Sequence, residues 1–317
     1  MTSTSVNYKL GLLLVVTAVF FWGILPVGLK LATNFTDAVT LTWMRFGVAC
    51  VVTLAFQLVS GGLAGFKALT AIDWFKLVLA GLLLIVNYNT FVWGLDYIPL
   101  GSAQLNFQVA PFFLVFGGVL FYGDKVKGGQ WLCLVALAIG MVLFFHPHLQ
   151  PAAVSDGEVN AFMGMAFVTL SALSWSVYAL IQKSLLSKIS PQNVLLVIYA
   201  QGVVVMWPAV DGQSLQGIDA GDWLVLAFCC ANTLVAYGSF AQAMKHLDTV
   251  QVSAMVALTP LVSFGAAMTC AVMLWWPETI KRPDLDVLSL LGIFIVLAAA
   301  VMVQLLRREK PVAVTRS

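Results

Sequence analysis

The chain has 317 residues, of which 61% are apolar and only 9% are charged, where a soluble domain carries about 25% charged residues. Sixteen basic and fourteen acidic side chains cannot clothe a water-soluble fold of this size, so most of the surface must face lipid. The formal net charge of +2, with the basic residues dispersed, gives no patch for nucleic acid.

A helix needs about 20 apolar residues to cross the hydrocarbon, and ten such runs follow in chain order. They cover roughly 10–32, 39–60, 74–96, 101–122, 128–146, 160–182, 192–211, 222–243, 250–275 and 286–306. The first follows only Lys9, is too long for a signal-peptide core and lacks a small-residue cleavage site, so it reads as a retained span. The five cysteines, Cys50, Cys133, Cys229, Cys230 and Cys270, all fall inside apolar runs. They read as reduced core residues, with neither a disulfide framework nor a metal site.

Lysine and arginine set the orientation. With the N-terminus inside, Lys9, Lys67, Lys76, Lys125, Lys127, Lys183, Lys188, Lys245 and the tail residues Arg307, Arg308, Lys310 and Arg316 are cytoplasmic. Only Lys30, Lys281 and Arg282 fall outside, where most acidic residues also lie. Both termini are therefore expected in the cytoplasm.

One connection has linker composition, His146 to Val159, with Pro147, Pro151 and the run Ser155-Asp156-Gly157-Glu158. It divides the chain into a first repeat over 1–146, an external linker over 147–159 and a second repeat over 160–317. A shift of 153 residues lays Gly11, Trp22 and Lys30 on Gly164, Trp175 and Lys183; a shift of 149 lays Pro111 on Pro260. Asp124 and Glu278 correspond if about five residues are inserted in the second half. Because five spans is an odd number, the second copy enters the membrane upside down, which is the architecture of alternating access. The expected fold is an all-α integral membrane protein of ten transmembrane helices in two inverted five-helix repeats.

The chain resembles the EamA family of the drug/metabolite transporter superfamily. The resemblance rests on Phe21-Trp22-Gly23, on Arg45 after Leu41-Thr42-Trp43-Met44, on Asn87-Tyr88 leading through Gly94-Leu95-Asp96 to Gln104, Gln108 and Pro111, and on Gly123-Asp124. It implies a central cavity lined by spans one, three, four, six, eight and nine, and transport of amino acids, nucleosides, other metabolites or toxic organic compounds. Two departures stand out: Tyr199 occupies the place of Arg45 in the second half, and Asp124 stands where Glu is usual.

Polar side chains at mid-span are costly, so they face a cavity or a partner helix. Gln104, Gln108 and Pro111 lie at i, i+4 and i+7, on one face of span four. Asn87, Tyr88 and Asn89 spread over too wide an arc to share one contact face. The family resemblance favours Asn87 and Tyr88 as the pair facing inward. Asn232 and Tyr237 on span eight join the candidates, each with interhelical hydrogen bonding as the alternative. Trp22 and Trp175 read as two aromatic walls, with Tyr178 on the face of Trp175. Pro26, Pro111 and Pro260 are candidate hinges. Arg45 is the basic residue inside a span and reads as a structural or gating charge able to snorkel outward, while Lys30 and Lys183 read as interfacial anchors. His146 and His148 read as part of a solvated loop.

No acid lies at mid-span, and no pair of basic residues converges there. The cargo is therefore expected to be neutral or zwitterionic. These features predict a transporter of the bacterial inner membrane that exports a small metabolite, foremost an amino acid. No cofactor, metal, catalytic residue or nucleic-acid partner is expected; the partners are the cargo and the lipid, and the sequence leaves the oligomeric state open, a monomer being compatible with it. Efflux of organic cations through an aromatic cage is the alternative, and a lipid enzyme embedded in the membrane the remote one.

Overall fold

The computed structural model describes residues 7–98, 100–149, 158–280 and 286–306. Twelve α-helices follow one another, with no strand among the described residues: α1 (Tyr8–Ala32), α2 (Ala38–Ser60), α3 (Ala71–Gly94), α4 (Leu100–Phe107), α5 (Val109–Tyr122), α6 (Gly128–Leu149), α7 (Glu158–Leu185), α8 (Pro191–Met206), α9 (Ala220–Ala243), α10 (Thr249–Val256), α11 (Thr259–Val272) and α12 (Val287–Leu305). Among the described residues nine stretches are long and apolar enough to cross a membrane, and α4 with the shorter apolar helix α5 is the candidate for a tenth. The chain is an integral membrane protein, and large apolar side chains such as Leu13, Val51, Leu120, Leu132 and Phe294 cover its exterior.

Two crossings expected as continuous helices are broken, and both breaks have the same cause. Proline has no N–H and its ring collides with the carbonyl four residues back. Pro111 and Pro260 aim that defect at Phe107 and Val256, where α4 and α10 end. A second difference lies at the middle of the chain. The α6 helix continues through Leu149 and α7 starts at Glu158, so both flanks of the expected linker are helical; residues 150–157 lie outside the described residues. His146 is held at the end of α6 by Leu143 O at 2.8 Å and pairs with Asp286 Oδ2 at 2.8 Å. It is not a solvated loop residue, because the start of α12 packs against it. Lys281, Arg282, Asp284 and the basic tail from Arg307 lie outside the described residues, as do the side chains of His148 and Glu158.

Helix starts are capped as their sequences dictate. Asp37 accepts from Val39 and Thr40 N–H, Asp219 from Asp222 N–H, Asp286 from Ser289 N–H, and Ser190 from Asn193 N–H ahead of Pro191.

The packing runs between the first five crossings and the last five: α1 lies along α9 and α11, α3 along α7 and α8, α5 along α7 and α10, α2 along α8 and α9, and α6 along α12. Small residues allow the close approaches. A Cβ on Gly292 would come within 2.4 Å of Phe144 N and 2.6 Å of Gly140 O, so α6 and α12 meet backbone to backbone. The α1–α2 turn sits beside the α8–α9 connection, where Thr36 Oγ1 meets Ser214 Oγ at 3.1 Å and Asp211 N–H donates to Thr40 Oγ1 at 2.9 Å. The opposite face gathers Asp73 with Lys188 and Asp124 with Lys183.

Candidate transport cavity

A cavity of about 760 Å³, its mouth included, lies in the half of the bundle nearer the α1–α2 turn. The C-terminal half of α1 contributes Trp22, Leu25, Pro26 and Leu29; α3 contributes Asn87, Tyr88, Phe91 and Val92. Gln104, Phe107, Gln108 and Pro111 come from the broken fourth crossing, Val256 and Thr259 from the broken ninth. Arg45 of α2, Trp175 of α7 and Tyr237 of α9 complete the wall.

Of the residues offered as substrate-binding from the sequence and the family resemblance, Trp22, Asn87, Tyr88, Gln104, Gln108, Trp175 and Tyr237 lie in this lining. Leu25 and Leu29 lie one and two turns beyond Trp22, and Phe91 and Val92 one turn beyond Asn87 and Tyr88. Apolar residues in an apolar span carry no signal of their own, so the sequence did not single them out.

Trp22 and Trp175 do not stand as two opposed walls. Their rings meet edge to face at 5.7 Å, and Trp22 also meets Tyr237 at 5.2 Å and Phe240 at 5.1 Å. Tyr88 continues the cluster to Tyr237 at 5.5 Å and to Phe46 at 4.8 Å. The result is a continuous aromatic floor that separates the cavity from the buried core toward the opposite face. Tyr178 belongs to that core: it is fully buried, 6.2 Å from the Tyr237 ring, and one turn below Trp175. It supports the floor from beneath and does not line the cavity.

Asn232 is likewise absent from the lining. Its Nδ2 donates to Phe21 O on α1, next to the Trp22 carbonyl that Pro26 deprives of its helical donor. Asn87 is largely spent as well: Nδ2 donates to Ser171 Oγ at 2.8 Å and Ser171 O at 3.1 Å, and Ser171 Oγ donates back to Asn87 O at 2.8 Å. The glutamines are less committed. Gln108 Nε2 donates to Gln104 O at 3.2 Å, while Gln108 Oε1 is buried without a partner.

Pro26 and Pro111 are lining residues; Pro260 is buried beside Thr259 and outside the lining. Lys183 is no free anchor. Its Nζ lies 3.1 Å from Asp124 Oδ2, which also accepts from Thr249 Oγ1 at 2.5 Å. Asp124 thus ties α5, α7 and the first residue of α10 together at the closed end.

Arg45 does not snorkel. Its side chain is 2% exposed, and Nε donates to Thr233 Oγ1 at 2.9 Å. The guanidinium carbon sits 4.4 Å from the centre of the Tyr88 ring.

The family model described as the EamA-like transporter family matches residues 9–146 and 162–305. The chain belongs to the EamA-like transporter family. A relative from Haemophilus influenzae, called an uncharacterized transporter, is 29% identical over 89% of this chain and 90% of its own. The uncharacterized inner membrane transporter YhbE of Escherichia coli is 28% identical over 92% of this chain and 90% of its own. Two relatives with more specific names match over shorter stretches. A probable amino-acid metabolite efflux pump of Escherichia coli is 25% identical over 53% of this chain and 58% of its own. A riboflavin transporter of Rhizobium johnstonii is 29% identical over 67% of this chain and 64% of its own. A solved crystal structure shares the fold with a TM-score of 0.72 over 95% of this chain and 98% of that one, at 15% identity.

Proposed function

We propose that this EamA-like protein exports a small neutral or zwitterionic metabolite, foremost an amino acid, across the bacterial inner membrane by alternating access. The single observation that carries the reading is the one-sided cavity between the two halves, open near the α1–α2 turn and floored by aromatic rings toward the opposite face. Alternating access needs two nearly equivalent packings of inverted halves. The helix contacts support this, because exchanging crossings one to five with six to ten maps α1 on α9 to α7 on α3, α1 on α11 to α7 on α5, and α3 on α8 to α9 on α2. The paired helix ends at Phe107 and Val256 and the two matches of the family model point the same way.

With both termini in the cytoplasm, the cavity faces outward. Trp22, Tyr88, Trp175 and Tyr237 shape it, and Gln104 and Gln108 orient the polar end of the cargo. The inner-membrane location follows the name of the YhbE relative, and amino-acid export that of the efflux pump. Export of organic cations fits less well, because the lining holds an arginine and no carboxylate. Liposomes loaded with purified protein are expected to accelerate flux of labelled amino acids, with Trp175→Ala and Gln108→Ala lowering the rate severalfold in folded protein. A panel of amino acids, nucleosides and riboflavin that moves no faster than through empty liposomes would sink the assignment.

A further inference from the structure

We infer that Arg45 anchors a carboxylate of the cargo, so that the substrates are small metabolites with one free carboxylate and a largely apolar body. The inference rests on the transport reading above and narrows its substrate class.

The argument starts from how the side chain is held. Thr233 Oγ1 donates to Cys229 O at 3.0 Å and accepts from Arg45 Nε at 2.9 Å, so the hydroxyl is fixed at both ends. The ring of Tyr88 lies against the guanidinium, 4.4 Å from carbon to centroid. Together these contacts set the position of the group and leave its two Nη nitrogens unused. No hydrogen bond from either Nη and no ion pair of Arg45 occurs among the described residues. Four N–H donors on a permanently charged group, 2% exposed and inside a membrane span, demand an acceptor. Among the described residues, the lining that Arg45 shares holds no carboxylate to supply it.

The free donors form a planar fork, which matches the two oxygens of a carboxylate. A phosphate ester carries about two charges, and no second lysine or arginine lines the cavity to share them. The rest of the wall fits the remainder of such a molecule. Gln108 Oε1 is an acceptor without a protein donor, suited to an ammonium group, and the floor of Trp22, Trp175 and Tyr237 suits an apolar or aromatic body. An apolar amino acid satisfies all three, and a simple monocarboxylate satisfies two.

Counterflow into liposomes holding the full-length chain tests this with phenylalanine, leucine and their carboxamides, which keep the body and the amine but lack the carboxylate. The wild-type protein is expected to move the acids in preference to the amides by about 10- to 100-fold, the worth of hydrogen bonds to a charged group. Arg45→Gln is expected to slow the acids and bring the ratio close to one; Arg45→Lys keeps the charge without the fork and retains part of the preference. Amides that cross the wild-type protein as fast as acids would overturn the anchor and leave transport standing. So would an acid preference retained by Arg45→Gln that elutes like wild type, or flux of riboflavin with none of the acids. If Arg45→Gln fails to fold, the comparison of acid and amide on wild type decides alone. Absence of flux for the whole panel would overturn the transport reading itself.

Discussion

Asn87 and Gln104 illustrate what decides the role of a polar side chain inside a membrane. Both sit at the cavity, yet Asn87 is locked to Ser171 by three hydrogen bonds and Gln104 has no side-chain partner among the described residues. A hydrogen bond between membrane helices contributes about 0.6 kcal/mol on average and up to about 1.7. Asn87→Ala is therefore expected to cost about 1–2 kcal/mol, read as a lowered thermal midpoint in detergent. Gln104→Ala is expected to leave the midpoint in place and change cargo flux. Equal midpoints for the two variants would reverse these assignments. Spacing at i and i+4 revealed that such residues share a face; it carried no information about which neighbour the face meets.

The helix breaks were half legible. Pro111 and Pro260 stood out in the sequence as hinges, and the structure ends α4 and α10 four residues before each of them. The missing donor and the steric clash are local, yet Pro26 carries the same defect inside the continuous α1, so the surroundings decide which proline ends a helix. The glycines of α6 and α12 are the opposite case. Nothing in the sequence around Gly140 and Gly292 distinguishes them from glycines such as Gly238 and Gly265, where an added Cβ would meet no neighbour within 4 Å. Only the crossing of the two helices makes a Cβ at Gly292 collide with backbone atoms of α6. Gly292→Val is expected to force the pair apart and cost about 1–3 kcal/mol, measured as loss of thermal stability, with Gly265→Val as the silent control.

Across the whole molecule, the aromatic floor closes the cavity, and Asp124, bonded to both Lys183 and Thr249, holds the face beneath it. The residues that the proposed repeat lays on them, Lys30 and Glu278, form no ion pair among the described residues. Asp124→Asn is expected to weaken the closed face and speed labelling of Ser176→Cys, in a background free of other cysteines, by an impermeant thiol reagent from that side. Ser176 is a good reporter because its hydroxyl is buried against Ala110 O between α5 and α7. Unchanged labelling would show that Asp124 does not hold the gate.

The sequence alone pointed to a lipid-facing surface, to apolar spans enough for a multi-pass membrane protein and to prolines inside three of those spans, and with the family resemblance it offered Trp22, Asn87, Tyr88, Gln104, Gln108, Trp175 and Tyr237, which meet at one cavity. The first three follow from composition, run length and proline chemistry, all of which are local along the chain. The tertiary structure alone decided which polar groups are already satisfied: Asn232 by α1, Asn87 by α7, Lys183 by Asp124. It also turned Arg45, which the sequence offered as a snorkelling charge, toward the cavity with its Nη groups unpaired. The rotation of each helix about its own axis makes that choice, and in a span apolar on nearly every side this rotation is set by packing against neighbours, not by the pattern of the residues.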